Sequence, residues 1–69
     1  MSTPIYKIIE LAGSSRISIE DAIEKAITKA SETVRHLSWF EVSETLGYIE
    51  DGKITQYQVI LKIGFTLDS

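Results

Sequence analysis

The chain has no cysteine, and only one histidine, one tryptophan and one proline among 69 residues. Without cysteine there are no disulfides and no thiolate metal sites. One histidine alone does not supply the usual ligands of a structural zinc. A chain this short sits near the lower limit for a stable core and normally needs disulfides, a metal or oligomerisation. Oligomerisation is the route left open. Cysteine-free composition also suits a reducing compartment. No apolar run approaches the ~20 residues of a membrane helix. Met1-Ser2-Thr3-Pro4 lacks a basic segment followed by an apolar one, so no signal peptide is expected. The net charge of -3, with no basic cluster, argues against a nucleic-acid partner. Repeats, linkers and low-complexity tracts are missing as well. These absences leave one soluble, cytoplasmic domain over 1–69 as the expectation.

What is present is a pattern of three strands and one helix. Ile5 to Leu11 has apolar side chains on both faces and reads as a strand buried on both sides. Gly13-Ser14-Ser15 reads as a loop. Ser18 can cap a helix by accepting from the amide of Asp21, whose carboxylate suits the first turn. Ile19, Ala22, Ile23, Ala26, Ile27, Ala30, Val34 and Leu37 then follow three-and-four spacing, the stripe of an amphipathic helix ending at Arg35 and His36. Glu20, Glu24, Lys25, Lys29 and Glu32 form its solvated face. Trp39 to Ile49 reads as a second strand. Asp51-Gly52 signals a two-residue hairpin, and Ile54 to Leu67 is the antiparallel third strand. The fold class is α+β: β-α-β-β, one helix on a three-stranded antiparallel sheet.

Leu37-Ser38-Trp39-Phe40-Glu41-Val42 organises the rest. Neighbours on a strand point to opposite faces, so Trp39 and Phe40 cannot share one core. With Asp51 and Gly52 as loop residues, Glu50 pairs with Lys53, Val42 with Leu61 and Phe40 with Ile63. Paired residues share a face. Phe40 and Val42 then join Tyr57, Val59, Leu61, Ile63, Phe65 and Leu67 on the helix side. Trp39, Glu41, Ser43 and Thr45 fall on the outer face with Gln58, Ile60 and Lys62. Thr45 lies opposite Gln58 in this count, which a β-bulge would shift. One helix leaves the outer face bare, a second reason to expect an assembly.

The pattern resembles the dodecins, small flavin-binding proteins of bacteria and archaea. The resemblance covers nearly the whole chain. It runs through Tyr6-Lys7-Ile8-Ile9-Glu10-Leu11-Ala12-Gly13-Ser14-Ser15, Ala22-Ile23, Ala30 and His36-Leu37-Ser38-Trp39-Phe40-Glu41-Val42. It closes with Tyr57-Gln58-Val59 and Gly64-Phe65-Thr66-Leu67. It implies the same β-α-β-β fold, a hollow homo-dodecamer, and FMN or riboflavin bound as stacked pairs between tryptophans of neighbouring subunits. Trp39 is then the stacking residue, and Gln58 hydrogen-bonds the isoalloxazine edge. The resemblance leaves open whether coenzyme A also binds. Many bacterial relatives carry arginine where this chain has Leu46 and Thr66, and aspartate where it has Ser38. Without those arginines, a preference for FMN over riboflavin is not expected. Glu44 sits where relatives often carry an acid, and no role is assigned to it.

The chemistry of these residues agrees. Flavin is a flat, electron-poor ring, and indole is the most electron-rich side-chain ring; stacking adds roughly 0.5–1.5 kcal/mol beyond area burial. Close contact also permits quenching of an excited flavin by electron transfer. Glutamine offers a donor and an acceptor, as the flavin pyrimidine edge does. Read without the resemblance, Trp39 fills a subunit interface and Gln58 is an exposed strand residue. His36 finds no serine, cysteine or paired carboxylate placed by motif, and reads as a helix C-terminal histidine at the dipole. No phosphate-binding glycine loop is present. The expectation is a non-enzymatic, flavin-storing and flavin-sequestering assembly. The alternatives are a small oligomeric flavoenzyme and a ligand-free structural oligomer.

Overall fold

The computed structural model describes residues 3–67. Met1 and Ser2 of the N-terminal tetrapeptide, and the last two residues of the expected 1–69 domain, lie outside them. Four elements follow in order: β1 (Tyr6–Ser15), α1 (Ile19–Ser31), β2 (Leu37–Glu50) and β3 (Lys53–Thr66). The strands form one antiparallel sheet in the order β1-β3-β2. The last strand in the chain is thus the central one. That explains its unbroken apolar row: Val59, Leu61 and Ile63 are at most 1% exposed. The expected β-α-β-β architecture is the observed one. Among the described residues no helix is long and apolar enough to cross a membrane.

α1 packs on β1 and β3 through Ala22, Ala26 and Ala30, with Ile9, Leu11, Ile19, Ile23 and Ile27 around them. The close approach depends on Gly13. An added Cβ there would lie 2.5 Å from the Ala22 carbonyl oxygen and 2.9 Å from the Ala26 Cβ. Gly13-Ser14-Ser15 is therefore not the loop expected from its composition. It is the end of β1, with Ser14 paired to Gln58 and Ser15 to Tyr57. The glycine serves packing rather than a turn. Ser15, 4% exposed, also joins strand to helix. Its hydroxyl donates to Asp21 Oδ2 at 2.6 Å and accepts from the Ile17 amide at 2.9 Å. Ser18 caps the helix as expected, accepting from the Asp21 amide at 3.0 Å. The Ser15 hydrogen bond, then Lys25 at 3.1 Å, hold the Asp21 carboxyl below its ordinary value.

The helix is shorter than its apolar stripe suggested. It ends at Ser31, and the Glu32 amide closes back on the Lys29 and Ala30 carbonyls. Thr33 in the turn and Val34 just past it are both β-branched and poor helix formers. His36 takes φ 66°, the left-handed region in which histidine is enriched over most residues. It is therefore not at a helix C-terminus. Its carbonyl accepts from the Thr66 amide at 3.3 Å as β2 begins.

The hairpin forms as expected. Asp51 and Gly52 have φ 53° and 75°, the two positive values a type I′ turn demands. Glu50–Lys53, Val42–Leu61 and Phe40–Ile63 pair as counted. Three bulges interrupt the ladder, at Ser38, Ser43 and Thr55. All three are hydroxyl residues, and each donates to a carbonyl: Ser38 to His36 at 3.2 Å, Ser43 to Ile60 at 3.0 Å, Thr55 to Tyr48 at 3.3 Å. Ser43 lies on β2 and Thr55 on β3, so the two shifts cancel outside the segment between them. Inside it the register moves by one residue. Leu46, not Thr45, lies opposite Gln58, and Thr45 pairs with Val59 on the helix side.

The molecule measures 55 × 21 × 14 Å. Its radius of gyration is 14.4 Å, against about 11 Å for a compact chain of this length. Its surface of 5340 Å² exceeds that of a compact 7.7 kDa monomer by roughly 1,000 Å². The cause is a length mismatch: a 13-residue helix spans about 20 Å, while 14-residue strands span about 46 Å. Phe40 shows the result. It faces the helix side as expected, yet is 49% exposed because α1 lies over β1 and β3 rather than β2.

Candidate functional site

Trp39 lies on the outer face of β2, opposite Gly64 of the central strand. Its ring lies over that glycine. A Cβ added at Gly64 would fall within the indole, 2.6 Å from Nε1. Across β3, Tyr6 meets the indole edge-on, with centroids 5.9 Å apart and planes at 71°. The missing side chain at Gly64 lets the indole lie close on the sheet, and Tyr6 limits its sideways swing. Trp39 keeps 36% of its surface exposed in the isolated chain. That is an aromatic platform fixed from below and open above.

Gln58 also lies on the outer face, on β3 opposite Leu46. Tyr48 donates its hydroxyl to Gln58 Oε1 at 3.0 Å. The structure does not bring Trp39 and Gln58 together. Gly64, beneath the indole, and Gln58 are six residues apart on one strand, about 20 Å at strand rise. Between these two ends Lys62 is flanked by Glu10 on β1 and Glu41 on β2, and Glu44 pairs with Ile60. Carboxylates outnumber ammonium groups on this face, which disfavours anions. Leu46 lies beside Gln58 and Thr66 beside Tyr6. The two positions where arginine was expected in relatives thus fall at opposite ends of the face. Among the described residues no three histidine, aspartate or glutamate side chains cluster to hold a metal ion.

Sequence reasoning missed Gly64, Tyr6 and Tyr48. Gly64 carried a usable signal: a glycine inside an apolar strand marks a close approach. Tyr6 became relevant only once β1 was known to border β3. Tyr48 was hidden by the bulges, because uninterrupted alternation assigns it to the helix side.

Comparison with known proteins gives a consistent result. Residues 5–68 match the family model described as Dodecin. The chain is 45% identical over 64 residues to the dodecin of Thermus thermophilus, covering 93% of each. The dodecin structure from Streptomyces coelicolor superimposes with a TM-score of 0.91 at 43% identity, covering 100% of this chain and 99% of that one. Dodecin from Streptomyces davaonensis gives 0.90 at 40% identity, covering 99% and 100%.

Proposed function

Because this chain belongs to the dodecin family, we propose that it is a non-enzymatic flavin-binding protein that stores and quenches riboflavin or FMN in a homo-dodecamer. The observation that carries this reading is the indole of Trp39, laid on Gly64 with its other face open. A flat, electron-poor ring suits that face. Stacking contributes roughly 0.5–1.5 kcal/mol beyond area burial, and contact at stacking distance lets the indole donate an electron to the excited flavin.

The distance between the two site residues supports a shared site. A flavin ring system is on the order of 10 Å long, about three strand residues, half the separation of Gln58 from Gly64 along β3. One flavin therefore stacks on Trp39 of one subunit and meets Gln58 of another. The surface excess and the half-exposed Phe40, Ile8 and Ile54 favour association for the same reason. The acidic outer face favours riboflavin at least as well as its dianionic phosphate.

Riboflavin titration, followed by flavin fluorescence and sedimentation, tests this. The assembled protein should quench riboflavin, and Trp39→Ala should bind weakly and leave the fluorescence intact. A folded monomer at micromolar concentration, or a Trp39→Ala protein that still quenches, refutes it. An FMN preference that fades with salt would overturn the neutral-tail part alone.

A further inference from the structure

We infer that Tyr48 is a positioning residue for Gln58, holding its amide so that the NH2 group is what this end of the sheet offers a ligand; the assignment rests on the flavin reading above. A glutamine on a strand surface has a broad, two-fold terminal torsion. Left alone, it presents oxygen or nitrogen with little preference. Here the Tyr48 hydroxyl donates to Oε1 at 3.0 Å. That contact fixes which end of the amide points toward β2 and turns Nε2 away. One lone pair of Oε1 and both N–H donors remain. An amide whose oxygen already accepts is also a stronger donor at nitrogen. The ligand group that fits is a hydrogen-bond acceptor on a flat heteroaromatic edge, such as a flavin ring carbonyl.

The placement of Tyr48 depends on the two offsetting bulges. Strict alternation from Trp39 would turn Tyr48 to the helix side, away from Gln58. The bulge at Ser43 moves the register by one, pairing Leu46 with Gln58 and Tyr48 with Gln56. That puts Tyr48 on the face of Gln58, one diagonal step away. The bulge at Thr55 restores the register before the turn, so the Asp51-Gly52 hairpin is undisturbed. Each bulged residue satisfies a carbonyl of the opposite strand with its own hydroxyl. Bulges re-aim side chains, and this pair re-aims five residues, 44–48. Tyr48 keeps 46% of its surface exposed, so its ring is not there to fill this subunit's core.

Two substitutions in the assembled protein separate positioning from interface filling. Tyr48→Phe keeps the ring and removes the donor. Gln58→Glu keeps an acceptor for Tyr48 and removes the N–H donors. Riboflavin affinity should fall about three- to tenfold for Tyr48→Phe, and further for Gln58→Glu. Isotope-edited infrared spectra of riboflavin labelled at its ring carbonyls supply the second readout. A carbonyl band lowered in the parent should move up in both variants, which ring packing alone would not cause. Parent affinity and an unmoved band in Tyr48→Phe overturn the inference. So does Gln58→Glu binding as tightly as the parent, a check that does not depend on how Tyr48→Phe assembles. If the parent itself neither binds nor quenches riboflavin, the flavin reading has failed first, and this inference falls with it.

Discussion

Replacing Gly64 by alanine probes the aromatic platform through one methyl group. Glycine inside a strand is normally a weakness, so alanine at an open site would stabilise by about 0.5–1 kcal/mol. Gly64 is not an open site. The added Cβ would occupy the position of the Trp39 ring. Something must yield, and β3 is the buried central strand whereas Trp39 is 36% exposed. The indole should therefore tilt off the sheet. Overpacking of this kind costs about 1–3 kcal/mol. Gly64→Ala should thus destabilise the parent by about 1–3 kcal/mol but stabilise a Trp39→Ala background by about 0.5–1 kcal/mol, a coupling of about 1.5–4 kcal/mol. For a domain of this size each kcal/mol moves the melting temperature by about 4–8 °C, so the cycle can be read by thermal unfolding at fixed protomer concentration. Riboflavin quenching measured alongside should drop in Gly64→Ala even where the assembly persists. If Gly64→Ala raises the melting temperature equally in both backgrounds and quenching is unchanged, the indole is not seated on Gly64.

Gly13→Ala should destabilise by about 1–3 kcal/mol, because its Cβ would meet the α1 backbone at Ala22 rather than a movable side chain; urea unfolding checks this, and a neutral result would mean the helix can lift off β1. The Asp21 carboxyl is held below its ordinary value of 3.8 by Ser15 and Lys25, so its stabilising contribution is present above that value and is lost as pH falls through the lower folded one. Melting temperatures from pH 7 to pH 2 should therefore fall less steeply at the acid end for Asp21→Asn than for the parent, and parallel curves would remove Asp21 from the acid response. Subunits carrying Trp39→Ala and Gln58→Ala should complement when refolded together, since each interface can then draw one intact contribution from each chain; mixtures that never bind more riboflavin than the separate variants would refute the shared site.

Much of the fold was legible because local chemistry and periodicity agreed. Ser18 as a cap, the alanine stripe, Asp51-Gly52 as a turn and the unbroken apolar row of β3 each follow from neighbouring residues alone. The errors came where a non-local contact overrode the local signal. Gly13 looked like a loop because its purpose, the passage of α1, lies in another element. The helix looked longer because Val34 and Leu37 continue its spacing, although Val34 lies past the turn and Leu37 packs on the core from β2. Three bulges at hydroxyl residues altered a register that simple alternation could count only outside them.

Trp39 and Gln58 stood out as residues, and Trp39 was assigned its face correctly, because the shifts at Thr55 and Ser43 cancel before the count from the turn reaches it. Their separation also survived, since it can be measured along residues 58–64 of β3, which carry no bulge. What the residues by themselves determined is therefore the set of elements, the buried row and the acidic, cysteine-free composition. Only the tertiary structure decided that β3 is central, that Trp39 lies on Gly64 beside Tyr6, and that Tyr48 turns toward Gln58. Each of these depends on which strand borders which and on where a ladder slips by one residue. Those are long-range pairings, and no local preference encodes them.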